Sequence, residues 1–540
     1  MTDAPSHALL LAEALHARGV RVAFGMPGGD VLPLLDAFAQ VGIRFVLVRH
    51  EGSAGFMAAA VWELTRTPGV AVATLGPGAT NLVSGVAGAL LDRCTIVAIT
   101  GQASEQVLPQ YTHQILDQTA LFQPVVRRTT RLSEEVGAMQ ILASMRALDT
   151  GRPGPIHFDL SSTAAAAPAQ TGVRDLLKPR VSEAPPPDVT EAARQLAQAS
   201  RPLVIIGCGD LTIATANGAR RLIEAARAPA LCTYKALGMA DPDDLLYAGP
   251  MGLSPVVDRH QQALIAQADL VIAVGLDPVE LRPDWLPGWP EDLPIVSVDP
   301  HGQPDLMGAV AHLTGPAMAT LDALREAAFG EEGSSDRSTW SAPELIAHRA
   351  AWQAPFDDGP TGPAAATRAI QRGAPPRTRL CMDVGAHRIT ASHAWVCHEP
   401  VQSLQSNGLC SMATGLPYGI ASRIVDWDRP CAVLTGDMGL LMCAGELGVV
   451  VEQGLDLVVV VFLDQSLSLI ELKQERKALA GGGVTFGNPD VVKLAESFGG
   501  QGVVVEGEDA VEQAVRAAFE AGGLQVVGVK IDPQAYRRQM

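Results

Sequence analysis

The chain is short of positive charge. It sets 40 Lys and Arg against 58 Asp and Glu, a formal net charge of -18 at pH 7. A surface of that sign repels phosphate backbones and anionic lipid, so neither nucleic acid nor membrane is expected as a partner. Long apolar runs are missing as well. A membrane span needs about 18 or more consecutive apolar residues, and the VVVVF run within Leu457–Leu463 stops far short of that. No basic segment followed by an apolar one opens the chain, so no secretory leader is expected. The eight cysteines are scattered without a CxxC, and several sit inside apolar runs. That spacing suits neither zinc nor a disulfide framework and fits buried thiols in a reducing cytoplasm. A GxGxxG fingerprint is absent from the first glycine turn, which reads Gly25-Met26-Pro27-Gly28-Gly29, so a plain dinucleotide-binding reading is weak.

What is there is a regular alternation. With 540 residues, 47% of them apolar, the chain can hold about three domains at roughly 100–200 residues each. Short β-branched runs alternate with helical patterns, which predicts parallel α/β domains. Strands are expected at Val20–Phe24, Phe45–Val48, Val70–Thr74, Thr95–Thr100 and Pro153–Leu160, then at Pro202–Ile206, Ala230–Cys232, Leu270–Val274 and Ile295–Val298, and finally at Arg379–Met382, Cys431–Leu434 and Leu457–Leu463. An Ala/Pro-rich stretch from Ser161 to about Pro187 and a Gly/Ser/Asp/Pro-rich one from about Gly330 to Ala365 read as linkers. The expected domains are 1–165, 187–330 and 360–540.

The densest chemistry lies between residues 434 and 474. A short strand runs into the turn Gly436-Asp437-Met438-Gly439, a helical pattern follows to about Gln453, and a second strand ends at Asp464. Two strand ends of one parallel sheet therefore carry a carboxylate each, where such sheets bind ligands. Hard oxygen ligands beside a glycine turn and a helix N-terminus suit Mg2+ bridging a diphosphate. Alone, Asp437 reads as a turn residue and Asp464 as a helix N-cap; together they favour the metal. In the first third, Glu51 stands at a strand end, and the small residues Gly52-Ser53-Ala54-Gly55 behind it permit close packing. A surface glutamate in a loop is the commoner occurrence of such a residue.

The run from Gly436-Asp437-Met438 to Leu463-Asp464-Gln465 resembles the metal and diphosphate motif of thiamine diphosphate (ThDP) enzymes, which begins Gly-Asp-Gly and ends Asn-Asn or Asn-Asp. FGMPGGDVLPLLDA, RHEGSAGFMAA and LGPGATNLVSG resemble, in that order, the pyrimidine-binding domain of the ThDP enzymes nearest acetolactate synthase. The resemblance implies three doubly wound parallel-sheet domains, pyrimidine and diphosphate domains flanking a central one. It implies ThDP and Mg2+, with Asp437, Asp464 and the Ser466 carbonyl as metal ligands. Gly436, Met438, Gly439, Leu467, Ser468, Leu469 and Ile470 would then surround the cofactor with Pro27, Gly28, Gly76, Asn81, Gly385, Ala386 and His387. Cys410 would offer its carbonyl to N4′, and Met412 would prop the cofactor into its bent shape. Glu51 would hydrogen-bond N1′ of the aminopyrimidine, with Gln114 and His113 as further candidates facing the reaction. The expected substrate is a small 2-oxo acid or aldehyde. The assembly would be at least a homodimer, or a homotetramer by pairing of dimers, with Glu51 and Asp437 meeting across a subunit interface.

The departures sharpen this reading. Asp464 replaces the family's Asn and adds a negative charge beside the diphosphate. Acetolactate synthase holds FAD in its central domain with an Arg-Phe-Asp-Asp-Arg run; here that place reads LDPVELRPDW, so FAD is not expected. A Trp near Lys473 is missing, and Gly29 stands where simple decarboxylases have an acid. The activity implied is an acetolactate-synthase-like carboligase or a 2-oxo acid decarboxylase. A benzaldehyde-lyase-like or carboxyethylarginine-synthase-like carboligase, or a ThDP-binding relative without turnover, is the alternative.

Overall fold

The alternation of strand and helix is realised as three parallel sheets of six strands, each flanked by helices. The computed structural model describes residues 4–540 except 171, 180–183, 283–284, 286–288, 291, 303–307, 309, 332 and 488–489. Parts of both expected linkers, and Pro283 and Asp284 of the LDPVELRPDW run, lie outside the described residues.

The first sheet comprises β1 (Val22–Met26), β2 (Arg44–Leu47), β3 (Gly69–Ala73), β4 (Ile96–Gln102), β5 (Arg128–Arg131) and β6 (Ile156–Ser161), in the order β2-β1-β3-β4-β6-β5. The second comprises β7 (Pro202–Ile206), β8 (Ala230–Thr233), β9 (Tyr247–Met251), β10 (Leu270–Val274), β11 (Ile295–Asp299) and β12 (Ala311–Thr314), in the order β12-β11-β10-β7-β8-β9. The third comprises β13 (Arg379–Met382), β14 (Ser403–Gln405), β15 (Cys431–Gly436), β16 (Leu457–Leu463), β17 (Gln501–Glu506) and β18 (Leu524–Lys530), in the order β14-β13-β15-β16-β18-β17. Central strands such as β3, β7 and β10 are buried along their whole length, as expected of strands covered on both faces.

Strand order reverses between β1 and β3, between β7 and β10, and between β13 and β15, and in the first and third sheets again at the edge pairs β6-β5 and β18-β17. At such a point the following loops part to opposite faces and leave a crevice at the carboxyl ends. The connections at Pro27, Gly76, Gly207, Gly275 and Asp383, and the helix that opens at Asp437, all follow these strands. The sequence motifs are thus placed by topology.

Several sequence expectations change. The stretch Gly330–Ala365 is not simply a linker: it contains a helix, Ala342–Gln353, anchored by buried Leu345 and Trp352. The helix expected to open at Asn81 starts earlier, at Pro77, where proline's fixed φ suits the first turn. Asp437 is the first residue of a helix rather than the middle of a turn. Edge strands β5 and β12 escape the reading because RTTR and AHLT are short and lack an apolar run.

The chain forms two compact units. The first is Met1–Ser182 together with Gly408–Asp428 and Gly439–Leu457; the second is the remainder and contains the second and third sheets. Within the first unit, the helix Glu51–Thr65 packs against the helix Gly415–Val425 and, through Gly52 and Gly55, against Gly85 of the helix Pro77–Leu91. No described helix is long and apolar enough to cross a membrane. No disulfide links the described cysteines, and all but Cys410 are buried.

Candidate active site

In the first unit, Glu51 is the first residue of its helix and is only 5% exposed. The helix is capped by His50, whose Nδ1 accepts the Gly52 N–H at 3.0 Å. The Glu51 carboxylate accepts Asn81 Nδ2–H at 3.0 Å. A Cβ on Gly78 would lie 3.2 Å from Glu51 Oε1, so the helix Pro77–Leu91 approaches this carboxylate closely. Gly76, with φ +67°, turns the chain into that helix, and a Cβ there would strike the Gln114 backbone at 2.6 Å. Gln114 itself has φ +60°, a strained value for a residue other than glycine. Its side chain and that of His113 are exposed, and the His113 ring meets Tyr111 edge-on at 6.1 Å. The structure therefore brings Glu51, Asn81, Gly76 and the Gln114 backbone together, and leaves His113 on a solvent-facing loop.

Three side chains that the sequence reading passes over hold this wall. Asp30, after the Gly28-Gly29 turn, accepts Thr74 Oγ1–H at 2.8 Å and Leu75 N–H at 2.9 Å, tying the loop after β1 to the end of β3. Buried Gln118 accepts Gly76 N–H at 2.8 Å and donates to Gly101 O at 2.8 Å and to buried Asp159 at 2.6 Å. Glu446 accepts the N–H groups of Arg49 and His50, at 3.1 and 3.0 Å, just ahead of Glu51. Burial raises the pKa of the Glu446 carboxyl, against the lowering effect of bonds from Ser53, Arg49 and His50. Also in this unit, Cys410 and Ala413 have φ +53° and +68° on either side of half-buried Met412. Two such residues so close mark a backbone held in an unfavourable shape, which is common where chain is shaped to a ligand.

In the second unit, the crevice between β13 and β15 gathers the other group. Asp437 is buried, and its carboxylate accepts Met438 N–H and Gln465 N–H, each at 2.9 Å. It therefore reaches the residue after Asp464. Asp464 accepts Ser468 Oγ–H at 2.6 Å. Burial, and next the charge of Asp437, push the Asp464 carboxyl up to about 6, against the bond from Ser468. Burial likewise raises Asp437. Two carboxylates held this way, the charge of one acting on the other, suit a cation as partner. His387 lies over the same strand ends: a Cβ on Gly385 would be 2.6 Å from its ring and one on Gly436 about as close as 3.4 Å. Burial takes its pKa down to about 4, so the ring is neutral at pH 7. Its buried Nε2 has no partner among the described residues. A partnerless polar atom on a ring over the strand ends that carry two carboxylates fits a site that receives a polar, metal-bridged group. Ser466 donates its hydroxyl to Glu471 at 2.6 Å. Leu469 packs partly on the core of the third sheet, while Ile470 is 43% exposed. Elsewhere, Asp241, Asp243 and His398 bring three ligand atoms within 4.8 Å of one another, but all three are exposed, as ordinary acidic surface clusters are.

Three family models match the chain in order. Residues 6–121 match the thiamine pyrophosphate enzyme N-terminal TPP binding domain, 189–324 the central domain, and 383–529 the C-terminal TPP binding domain. The acetolactate synthase of Bacillus subtilis is 28% identical over 537 residues, covering 97% of this chain and 92% of the relative. The catabolic acetolactate synthase of Raoultella terrigena is 29% identical over 541 residues, covering 97% and 94%. A probable 2-ketoarginine decarboxylase, AruI, of Pseudomonas aeruginosa is 29% identical over 534 residues, covering 96% and 93%.

Proposed function

Because the chain belongs to the thiamine pyrophosphate enzymes, we propose that it uses ThDP and Mg2+ to break or make the C–C bond beside the carbonyl of a 2-oxo acid, by decarboxylation, carboligation or both. The observation that carries this reading is the pair of carboxylates Asp437 and Asp464, the charge of the first acting on the second, at strand ends that the ring of His387, its Nε2 without a partner among the described residues, also approaches. Asp437 and Asp464, with the Ser466 carbonyl, would hold Mg2+, which takes one or two protein carboxylates and fills its octahedron with phosphate oxygens and water. The cation would relieve the repulsion that lifts Asp464. Gly436, Met438, Gly439, Gly385, Ala386 and His387 would surround the diphosphate, and Leu467, Ser468, Leu469 and Ile470 the thiazolium side. Bound ThDP would supply the electron sink that lets a 2-oxo acid lose CO2.

The chain's own residues prepare that chemistry. Glu51 would hold and return a proton at N1′ of the aminopyrimidine, its carboxyl oriented by Asn81. Pro27, Gly28 and Gly76 shape the wall on that side. The Cys410 carbonyl would accept from N4′, and Met412 would pack beneath the cofactor. Gln114 and His113 orient the substrate or exchange protons with it. The active assembly is at least a homodimer. A second reading, decarboxylation of a longer 2-oxo acid without ligation, draws support from the Pseudomonas relative, which is as similar to this chain as the two synthases are.

ThDP and Mg2+ titrated into the protein, with C2–H exchange followed by NMR, test the core of the proposal. Exchange faster than in free ThDP is expected; none would leave only a binding protein. A panel of 2-oxo acids, followed for CO2 and for coupled products, then separates decarboxylase from carboligase.

A further inference from the structure

We propose that the ligand crevice of the central sheet is filled from within, the carboxyl of Glu280 standing where a dinucleotide's phosphate would be held, so that this domain is complete without a flavin. The order of the second sheet reverses between β7 and β10. At such a reversal an α/β sheet takes a nucleotide, with its phosphates on the backbone N–H groups of the glycine turns. The turns here are Gly207-Cys208-Gly209 after β7 and Gly275-Leu276-Asp277 after β10.

They close on each other. Gly209 N–H donates to Gly275 O at 2.8 Å. Glu280, 1% exposed, reaches into the turn after β7, and its Oε2 accepts Cys208 N–H at 2.9 Å. A Cβ on Gly207 would lie 2.5 Å from that oxygen and 2.6 Å from Gly275 O, so no volume remains for a phosphate against this backbone. Glu280 is fixed in place by a capping box: Asp277 accepts Val279 N–H at 3.0 Å, and the Glu280 carboxyl reaches back toward Asp277 N–H at 3.4 Å.

The charges point the same way. Asp277 and Asp299 are buried at the same strand ends, and Asp299 Oδ2 would be 3.1 Å from a Cβ on Gly209. Lys235 is buried nearby, and its charge opposes those of Glu280 and Asp277 at Cys208. A diphosphate arriving here would meet carboxyls where it needs donors, without the water that could screen them. Burial lifts Glu280 to about 7, as expected of a carboxyl held in a dry cradle. The flavin that the resemblance to acetolactate synthase associates with this domain therefore does not fit the residues present.

Thermal-shift and fluorescence titrations of the ThDP- and Mg2+-loaded protein with ADP and with FAD test this. The wild type is expected to show no change in melting temperature and no bound flavin band up to millimolar ligand. Glu280→Ala opens the Cys208 N–H and is expected to bind ADP at least about tenfold more tightly than the wild type, a difference of about 1.4 kcal/mol. Stoichiometric flavin or ADP on the wild type overturns the proposal, and so does a folded Glu280→Ala no better at taking ADP. Glu280→Gln keeps the shape without the charge and serves where the alanine variant does not fold. It should be as blind to both ligands as the wild type, and binding by it would overturn occupancy as the cause.

Discussion

Removing the Glu446 carboxyl tests whether the middle of the proposed diphosphate motif sets the position of Glu51, the carboxylate proposed to act on the cofactor. The side chain is 1% exposed. Its Oε1 takes both backbone donors that precede Glu51, Arg49 N–H and His50 N–H, at 3.1 and 3.0 Å. Glu446→Ala leaves those two donors without an acceptor. At about 1–3 kcal/mol for each buried donor the loss is about 2–6 kcal/mol, and because both lie only partly buried the lower end is expected. Glu446→Gln offers an oxygen at the same place and should lose about 1 kcal/mol or less. The start of the Glu51 helix is then free to shift in the alanine variant. A misplacement of the order of 1 Å costs up to about 10²-fold in rate. Urea denaturation of the cofactor-loaded protein reads the stability, and C2–H exchange by NMR reads the placement of Glu51. An alanine variant equal to the wild type in both would refute the reasoning. A glutamine variant as impaired as the alanine one would show that charge, and not the acceptor geometry, is what matters.

Glu51→Gln should slow C2–H exchange by about 10²–10⁴-fold while ThDP still binds; normal turnover in this variant would remove Glu51 from its role. Asp464→Asn should tighten ThDP at low Mg2+ by about tenfold, since Asn keeps an oxygen without the charge that Asp437 opposes; weaker binding at every Mg2+ level, in titrations of both proteins, would mean that the second carboxylate helps. Glu280 carries a pH signature: its folded pKa of about 7 lies above the ordinary value of 4.5, so the unfolded chain ionises first and stability falls as pH climbs from about 4.5 to 7, by about 3 kcal/mol at most. The melting temperature of Glu280→Gln relative to wild type should therefore widen across that window and level off above it, and a gap that stays flat with pH would contradict the burial argument.

The parts of the site that are legible in the sequence are those in which a residue's own type states its task at a strand end. Asp437 and Asp464 announce themselves because β15 and β16 are apolar runs that stop at a carboxylate, and topology then puts Asp437 at a reversal of strand order. Glu51 is legible because it follows a short strand by a few residues, β2 ending at Leu47, and is itself followed by small residues that let the helix Pro77–Leu91 close in. Asp30, Gln118, Glu280 and Glu446 are not legible, although each is as firmly held. Their partners are largely backbone N–H groups, which every residue but proline carries. The acceptor's position in space therefore leaves no trace in the donor's identity. Arg49 and Glu446 are 397 positions apart, and nothing at Arg49 or His50 marks them as donors to that carboxyl. The same limit hides the placement of Gly408–Asp428 and Gly439–Leu457 in the first unit. Their helical pattern shows that they have an apolar face but not which surface it meets. The run of Gly, Ser and Ala after Glu51 is taken up by the helix Pro77–Leu91, where Gly55 meets Gly85, so it does not mark the approach of the helix Gly415–Val425 to the same helix. The small residues that make Glu51 recognisable thus select the helix that follows β3, while a neighbour far downstream in the chain packs on the same helix with nothing in the sequence to announce it.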